Sequence, residues 1–276
     1  MSYPRNLVEP DWLAQHLDHP QVVVVDCRFS LADPQLGRQQ YLAGHIPGAF
    51  YLDLNHDLSS PVSVHGGRHP LPDEQQLAST LRSLGVNSDG NAAPTLVVAY
   101  DDSRFAFAAR LWWLLKYLGH DAVAVLNGGW QGWRANYPVT STPPAPRSGN
   151  FVPQPRPHWV VDIDYVRQKQ QHPAVALIDS RSPERYRGEQ EPIDPIAGSI
   201  PGAQNAFWQE VSDAQGWMRS QAHLTQHWSS LTTAEEVIVY CGSGVTACVN
   251  LLSQAVAGEP MHKLYPGGWS DWCSYR

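Results

Sequence analysis

The residues best suited to covalent chemistry lie in one short stretch, residues 241–246, which reads CGSGVT and follows the apolar run VIVY. The nucleophilic form of a cysteine is its thiolate, which needs neighbours that stabilise negative charge. Glycines let the backbone curl so that several N–H groups point inward, and a helix that begins there adds its partial positive charge. We therefore predict that this loop holds Cys241 as a reactive thiol, in preference to a small buried side chain that only packs.

Short apolar runs alternate with longer segments of helical character in both halves of the chain. The predicted strands are VVVVD, TLVVAY and AVAVL in the first half, and VALID, VIVYC and HKLY in the second. The clearest helices are RFAFAARLWWLLKYLG and VTACVNLLSQAVAG. This alternation predicts α/β domains, each a mostly parallel sheet with helices on both faces. Ligands of such sheets bind at the carboxyl ends of the strands, which is where Cys241 is expected to lie.

The chain contains an internal duplication, which indicates two domains of one kind. Four motifs return in the same order: VVVVDCR (22–28) as VALIDSR (175–181), AGHIPGA (43–49) as AGSIPGA (197–203), LVVAYDDSRFAFAARL (96–111) as VIVYCGSGVTACVNLL (237–252), and NGGWQGW (127–133) as PGGWSDW (266–272). A proline-rich stretch without apolar periodicity separates the two halves. We predict a domain at 1–140, a semi-extended linker at 141–155 and a second domain at 156–276.

Composition argues against several functions. With a formal net charge of −7 and no basic block in 276 residues, nonspecific binding of nucleic acid is disfavoured. The N-terminal stretch has charges and prolines where a secretory signal would be apolar, and Arg110 and Lys116 interrupt the most apolar window. Four cysteines without a CxxC pair predict free thiols, with neither a disulfide framework nor a metal site. We expect a cytoplasmic monomer without membrane contact.

The duplicated pattern and the CGSGVTA loop resemble the two-domain sulfurtransferases of the rhodanese superfamily, most closely the 3-mercaptopyruvate sulfurtransferases. The resemblance covers essentially the whole chain, from VVVVDCR to GGWSDW. The first domain of that family lacks the cysteine, and here Asp101 matches Cys241, so the resemblance implies that only the second domain is catalytic. It also implies a persulfide on Cys241 that passes its outer sulfur to cyanide, a small thiol or a thioredoxin-like protein. No metal or organic cofactor is implied.

The loop sequence bears on the identity of the sulfur donor. Family members that use thiosulfate, a dianion, carry basic residues in the loop, whereas Gly242 and Ser243 are neutral. The single carboxylate of 3-mercaptopyruvate needs one arginine and some hydrogen-bond donors, and the resemblance assigns the arginine to Arg185 in the RYRG-type turn. A second arginine often follows, but Ile193 lies near its place, which leaves Arg187 as a replacement. The loop residues that would contact the donor are Gly242, Gly244, Val245 and Thr246.

The resemblance further implies a serine, a histidine and an acid that act with the cysteine. Ser243 fits the serine and His69 in GGRHPLP fits the histidine, but the acidic position is Asn55. An amide orients a histidine without stabilising its charged form as a carboxylate would. A surface-loop histidine is the alternative for His69, since the chain has twelve histidines. Asp179 and Arg181 we interpret as structural support, an ion pair that braces the reactive loop.

The remaining cysteines have structural interpretations. Cys248, seven residues after the reactive cysteine on the predicted helix, is expected to pack against the sheet, with a resolving thiol as the alternative. Cys27 and Cys273 are expected to be structural as well.

Two other functions stay open at this point. A thiosulfate:cyanide sulfurtransferase would use the same cysteine with a different donor, and a non-catalytic persulfide carrier or redox-sensing module would show no multiple turnover with any small donor. A phosphatase is disfavoured, because its Cys-x5-Arg loop grips phosphate with an arginine and Ala247 stands at that position.

Overall fold

The apolar runs of the duplicated motifs form the central strands of two parallel sheets. The structure is a computed structural model that describes residues 4–88, 94–229 and 233–276. Two units divide the chain between them. Unit 1 comprises Met1–Ser60, Pro72–Pro155 and Ala214–Met218, and unit 2 comprises Pro61–Leu71, Arg156–Asp213 and Arg219–Arg276.

Unit 1 contains a five-stranded parallel sheet of order β1-β5-β4-β2-β3. Its strands are β1 (Asn6–Val8), β2 (Val22–Asp26), β3 (Phe50–Tyr51), β4 (Leu96–Tyr100) and β5 (Val123–Leu126). Its helices are α1 (Pro10–His16), α2 (Leu36–Ala43), α3 (Glu74–Ser83), α4 (Ala108–Tyr117) and α5 (Gly129–Arg134). Every residue of β2 and β4 is buried, as expected for central strands of a parallel sheet that is covered on both faces.

Helix α4 supplies much of the core of unit 1, and Trp112 and Trp113 on it are fully enclosed. The helix is shorter than the predicted run, which began at Arg104. Arg104 and Phe105 have φ angles of 56° and 74°, a left-handed conformation that no α-helix of L-residues continues. The sequence after β4 therefore forms a tight loop before the helix begins at Ala108.

Unit 2 repeats the plan with a four-stranded parallel sheet of order β7-β6-β8-β9. Its strands are β6 (Val175–Asp179), β7 (Gln204–Asn205), β8 (Glu236–Tyr240) and β9 (Lys263–Leu264). Its α-helices are α6 (Ile163–Lys169), α7 (Pro183–Tyr186), α8 (Gln221–His227), α9 (Ala247–Ala257) and α10 (Gly268–Cys273). Short 3-10 helices lie at Pro157–Trp159 and Trp208–Val211.

The units do not follow the predicted boundaries along the chain. Pro61–Leu71 from the first half belongs to unit 2, and Ala214–Met218 from the second half belongs to unit 1. The predicted linker at 141–155 packs on unit 1, where the backbone N–H groups of Arg147, Gly149, Phe151 and Gln154 donate to carbonyl groups of that unit. Phe151 is fully buried there. An apolar side chain inside the proline-rich stretch therefore anchors it to unit 1.

The predicted fold class is confirmed: both units are parallel sheets flanked by helices. All six predicted strands are present, although β9 has only two residues, and the strands that the prediction missed are β1, β3 and β7. Across the described ranges, no helix combines the length and the apolar character that a membrane span requires.

Candidate active site

Cys241 is the first residue after β8, at the carboxyl end of a central strand. It is buried, with 2% of the residue exposed, and its thiol is free of any disulfide. Its carbonyl oxygen accepts the backbone N–H of Trp269 at 2.8 Å. Gly268 has a φ of +61°, and a Cβ there would lie 2.5 Å from the Cys241 carbonyl oxygen. Only glycine lets the PGGW turn approach the cysteine this closely.

The loop that follows Cys241 turns at Gly244. Its φ is +70°, and a Cβ would lie 2.4 Å from the carbonyl oxygen of Pro266, so this position also requires glycine. Val245 is buried and Thr246 half-buried, and α9 begins at the next residue. The predicted loop-to-helix transition at Cys241 is therefore present.

Ser243 and His69, which are far apart in the sequence, lie within hydrogen-bonding distance. His69 Nδ1 is 2.7 Å from Ser243 Oγ, and both residues are buried. His69 reaches Ser243 because the segment Pro61–Leu71 belongs to unit 2. The alternative of an exposed loop histidine is therefore wrong. Asn55, at the position of the implied acid, is exposed and lies in unit 1.

The segment that carries His69 is fixed to unit 2 by its own backbone. The N–H of Gly66 donates to Asp271 Oδ1 at 2.6 Å, and Asp271 Oδ2 accepts the hydroxyl of Tyr265 at 2.6 Å. A Cβ on Gly67 would lie 2.4 Å from the carbonyl oxygen of Gly267, which shows how closely the two backbones approach. A buried carboxylate and a glycine contact thus position the histidine.

Two guanidinium groups approach the loop beside the cysteine. Arg185 extends from α7, and its Nη1 and Nη2 lie 3.7 and 3.6 Å from the point where a Cβ on Gly242 would be. Arg68 Nη2 lies 2.9 Å from the same point. Sequence analysis predicted Arg185 but missed Arg68. The available signal was its place next to His69, since any segment that delivers the histidine must also deliver its neighbour.

Ile193, near the expected place of a second arginine, and Arg187, its considered replacement, both have exposed side chains. Ile193 itself is 47% exposed. Arg187, considered as a second substrate-binding arginine, pairs with Glu189 at 2.7 Å, and each of these side chains is about half exposed. Arg68, from the other half of the sequence, lies over Gly242 in its stead.

Two buried acids, Glu191 and Asp194, neutralise these arginines. Arg185 contacts Glu191 at 2.7 Å and Asp194 at 3.0 Å, and Arg68 pairs with the other oxygen of Asp194. Burial favours the neutral acid at both sites; the hydrogen bonds from Arg185 nevertheless hold the pKa of Glu191 below its usual value. The pKa of Asp194 is raised, because burial outweighs the attraction of Arg68. The site therefore holds compensated charges close to the loop.

Asp179 and Arg181 form a buried pair behind this cluster. Arg181 Nη2 lies 2.7 Å from Asp179 Oδ2 and donates to the carbonyl oxygen of Gly198 at 2.6 Å. Its Nη1 lies 3.1 Å from Glu191, and its guanidinium lies 4.8 Å from the ring centre of Trp269. Arg181 thus connects the end of β6 with the arginine–acid cluster and the PGGW turn.

The other cysteines are buried, free thiols. The thiol of Cys248 donates to the carbonyl oxygen of Gly244 at 3.4 Å. Burial raises the pKa of Cys273 to about 11 and raises that of Cys27 as well, so both are poor nucleophiles near neutral pH.

In unit 1, the residue that matches Cys241 is Asp101, whose carboxylate accepts four backbone N–H groups of its own loop. These bonds, of 2.8 to 3.1 Å, come from Ser103, Phe105, Phe107 and Ala108. Asp101 is buried, and burial raises its pKa to about 6 despite these hydrogen bonds. The loop in unit 1 therefore surrounds an anion that belongs to the chain itself.

Comparison with known proteins places both halves in one family. The model of the rhodanese-like domain matches residues 9–136 and 162–275. A Pseudomonas aeruginosa protein named "Probable 3-mercaptopyruvate sulfurtransferase" is 43% identical over 272 residues, with 96% of this chain and 94% of that protein covered. A 3-mercaptopyruvate sulfurtransferase of Escherichia coli strain K12 is 34% identical over 274 residues, covering 96% of this chain and 94% of the relative.

A solved structure agrees with these relatives. The crystal structure of a 3-mercaptopyruvate sulfotransferase from Escherichia coli, described as having the rhodanese fold, matches with a TM-score of 0.82 and 33% identity. The match covers 97% of this chain and 100% of the other. The resemblance stated from the sequence is confirmed. The chain belongs to the rhodanese family and is a sulfurtransferase enzyme with two rhodanese-like domains.

Proposed function

We propose that the chain transfers sulfur from 3-mercaptopyruvate through a persulfide on Cys241 and releases pyruvate. The observation that carries this proposal is the arrangement around Gly242. The loop residues Gly242–Thr246 bear no charge, while guanidinium groups approach Gly242 from one side. A donor with one carboxylate next to its reacting carbon suits a site whose cations lie beside the loop.

In the first half-reaction, the thiolate of Cys241 attacks the thiol sulfur of the donor. A sulfur–sulfur bond forms, the carbon–sulfur bond breaks, and the electron pair leaves on carbon as the enolate of pyruvate, which then takes up a proton. The products are a persulfide and pyruvate. Arg185 would hold the carboxylate, and backbone N–H groups of the loop would stabilise the charge that develops on the carbonyl oxygen.

Ser243 and His69 are the groups proposed to handle the proton in this step. Their 2.7 Å contact joins an imidazole to a hydroxyl two residues from the nucleophile. Such a pair can deliver a proton to the departing enolate or accept one from the donor thiol. Because both residues are buried, the proton would pass through the pair without competition from bulk water.

In the second half-reaction, an acceptor thiol, cyanide or a thioredoxin-like protein removes the outer sulfur and restores Cys241, which gives a ping-pong cycle. Every bond that is made or broken involves sulfur or the donor's own carbon, so the proposed chemistry draws on no metal or organic cofactor. We propose that the enzyme acts as a cytoplasmic monomer, where a reducing environment keeps its four cysteines as the free thiols seen here.

The nearest alternative is thiosulfate as the donor, and one observation favours it: two guanidinium groups, not one, approach Gly242. A second cation adds more electrostatic binding free energy for a dianion than for a monoanion. The pairing of both arginines with Asp194 argues the other way, because it already offsets part of their charge. A carrier or sensor module is the alternative of another class.

The test is to supply purified protein with 3-mercaptopyruvate or thiosulfate, use cyanide as acceptor, and measure pyruvate and sulfite over time. Mass spectrometry of the intact protein would detect an adduct of one sulfur atom. We expect faster pyruvate than sulfite release, and an adduct that Cys241→Ser abolishes. Faster sulfite release would reverse the donor assignment, and a stable adduct without turnover would indicate a carrier.

A further inference from the structure

The space above Gly242 is bordered by two guanidinium groups that come from separate parts of the chain. Arg185 lies on α7, whereas Arg68 lies on the segment Pro61–Leu71. The nearest nitrogen atoms to a Cβ placed on Gly242 are Arg68 Nη2 at 2.9 Å and then the two Nη atoms of Arg185 at 3.6 and 3.7 Å. Gly242 directly follows the nucleophile, so an anionic group of a bound donor would meet both cations there.

Some N–H groups of the two arginines bond to acids of the protein, and others lie next to the space above Gly242. Arg68 donates through Nη1 to Asp194, and Arg185 donates through Nε and Nη2 to Glu191 and Asp194. Within residues 4–88, 94–229 and 233–276, no hydrogen-bond acceptor is present for Arg68 Nη2 or Arg185 Nη1. These are two of the nitrogen atoms that lie nearest to Gly242. Donors therefore remain on the side where a ligand would bind.

Asp194 is the group that brings the two cations together. Its Oδ1 pairs with Arg68 and its Oδ2 lies 3.0 Å from Arg185 Nη2, while only 2% of its side chain is exposed. A carboxylate shared between two guanidinium groups offsets their mutual repulsion and fixes the orientation of both planes. The sequence places this acid next to Ile193, where the second arginine was expected, so the second cation reaches the site from another segment.

We propose that Arg68 binds the donor, forming with Arg185 a clamp for the donor's carboxylate above Gly242, and that it makes the enzyme prefer donors that carry this carboxylate. The proposal rests on the proposed function and adds to it the residue that determines specificity. Because Arg68 precedes His69 directly, one docked segment supplies both the anion-binding group and the imidazole bonded to Ser243.

The test compares two donors that differ only in the group Arg68 is proposed to bind. Mercaptoacetone has a methyl group in place of the carboxylate of 3-mercaptopyruvate and releases acetone in place of pyruvate. With cyanide as acceptor, kcat and KM would be measured for both donors with wild type and Arg68→Met. We expect kcat/KM for 3-mercaptopyruvate to fall about 10- to 100-fold, mainly through KM, as for loss of a charged hydrogen bond. Turnover of mercaptoacetone should change less than about threefold.

Two further variants separate this role from structural effects. Arg187→Met removes an exposed arginine that pairs with Glu189, and it should leave both donors unaffected. Arg68→Met also leaves Asp194 with one cation fewer, and the less compensated carboxylate would repel an anionic donor. The double variant Arg68→Met with Asp194→Asn removes this repulsion. We expect the selective loss to persist in the double variant; recovery of 3-mercaptopyruvate turnover there would overturn the proposal.

The outcomes distinguish this inference from the proposed function. If wild type releases no pyruvate from 3-mercaptopyruvate, the proposed function fails, and the inference fails with it. If wild type releases pyruvate while Arg68→Met keeps the wild-type ratio of kcat/KM for the two donors, the function stands and the role of Arg68 is overturned. An equal loss for both donors would also overturn it, because a disturbed loop would impair any donor.

Discussion

The loop after β4 and the loop after β8 share one backbone plan but differ in the side chain of their first residue. In both, the carbonyl oxygen of the first loop residue accepts a tryptophan N–H at 2.8 Å, from Trp130 to Asp101 and from Trp269 to Cys241. In both, a glycine of a GGW turn lies so close that a Cβ would approach that carbonyl within about 2.5 Å (2.4 and 2.5 Å). The shape of the loop is therefore independent of the cysteine.

The difference lies in the side chain of the first loop residue. In unit 1 the Asp101 carboxylate accepts four backbone N–H groups, so the anion is part of the chain. In unit 2 the matching side chain is a thiol. The comparison teaches that the same backbone plan surrounds a carboxylate in unit 1 and begins with a thiol in unit 2.

The residues that follow also differ between the two loops, because unit 2 has glycine at two positions where unit 1 has a charged side chain. Gly242 matches Asp102, and Gly244, with a φ of +70°, matches Arg104, with a φ of 56°. The turn thus persists in unit 1 even where a side chain makes it unfavourable by about 1–2 kcal/mol. In unit 2, Gly244 removes that cost. Gly242 leaves the space that the two arginines border.

The largest expected change in sulfur-transfer activity comes from replacing Cys241, and it tests whether the loop after β8 alone supplies the nucleophile. Cys241→Ser should lower sulfur transfer about a thousandfold or more, because the persulfide cannot form. Adding Asp101→Cys to that variant should not restore turnover, since the new thiol would lie next to the carboxylate of Asp102 in place of a glycine. Turnover with cyanide as acceptor is measured for the single and the double variant. Restored turnover in the double variant would show that a cysteine on the shared loop backbone suffices for catalysis.

The next largest effect, on kcat, is expected for His69, which lies in the first half of the chain but belongs to unit 2. His69→Ala should reduce kcat about 100-fold, because a positioned proton-transfer group typically contributes about 10²- to 10⁴-fold. The matched control is His65→Ala, an exposed histidine on the same segment whose ring stacks on Tyr275. Pyruvate release under saturating donor is the measurement. Equal kcat for the two variants would remove His69 from the mechanism.

A smaller effect, on stability alone, concerns the buried anion of unit 1. Asp101→Asn would turn an amide NH2 towards two backbone N–H donors, at a cost of about 1–3 kcal/mol, with sulfur transfer unchanged.

The pH dependence of that variant has a definite sign. The pKa of Asp101 is about 6 in the folded protein, above the ordinary 3.8. The folded state therefore binds the proton more tightly, and stability from this group is present below pH 4 and lost as pH rises through about 6, by about 3 kcal/mol in total. Thermal melts should show the Asn variant furthest below wild type near pH 4.5 and closer to it at pH 7.5. A constant gap would contradict the raised pKa.

The smallest expected effect, on kcat/KM, concerns Asp271, the acid that binds the backbone of the segment carrying His69. Asp271 in unit 2 matches Gly132 in unit 1, so this docking group is specific to unit 2. Asp271→Asn keeps the volume but loses one of two acceptor oxygens, used by Gly66 and Tyr265. We expect a 3- to 10-fold fall in kcat/KM, in line with about 1 kcal/mol for one hydrogen bond. Unchanged kinetics would show that the Gly67 contact alone holds the segment.

Sequence reasoning predicted more of the fold than of the site. The strands β2, β4, β5, β6 and β8 were predictable because continuous apolar runs are typical of buried parallel strands. The strands β3 and β7 have two residues each, too few for any periodicity. The linker prediction overlooked that a single buried side chain, Phe151, ties a proline-rich stretch to a core. Cys241 and Ser243 were proposed from the loop that contains them, whereas Arg185 was proposed from the family resemblance, since no local pattern connects it with Gly242.

The sequence by itself determined the duplication, the two parallel sheets, the presence of Asp101 at the position that matches Cys241, and the place of Cys241 at a strand end. Each of these depends on the type and order of nearby residues. Only the tertiary structure decided that Arg68 and His69 meet Gly242 and Ser243, and that Asp194 joins the two arginines. The contacts of Arg68 and His69 join distant parts of the chain, and their pairing follows from backbone docking at Asp271 and Gly67, which no local pattern encodes.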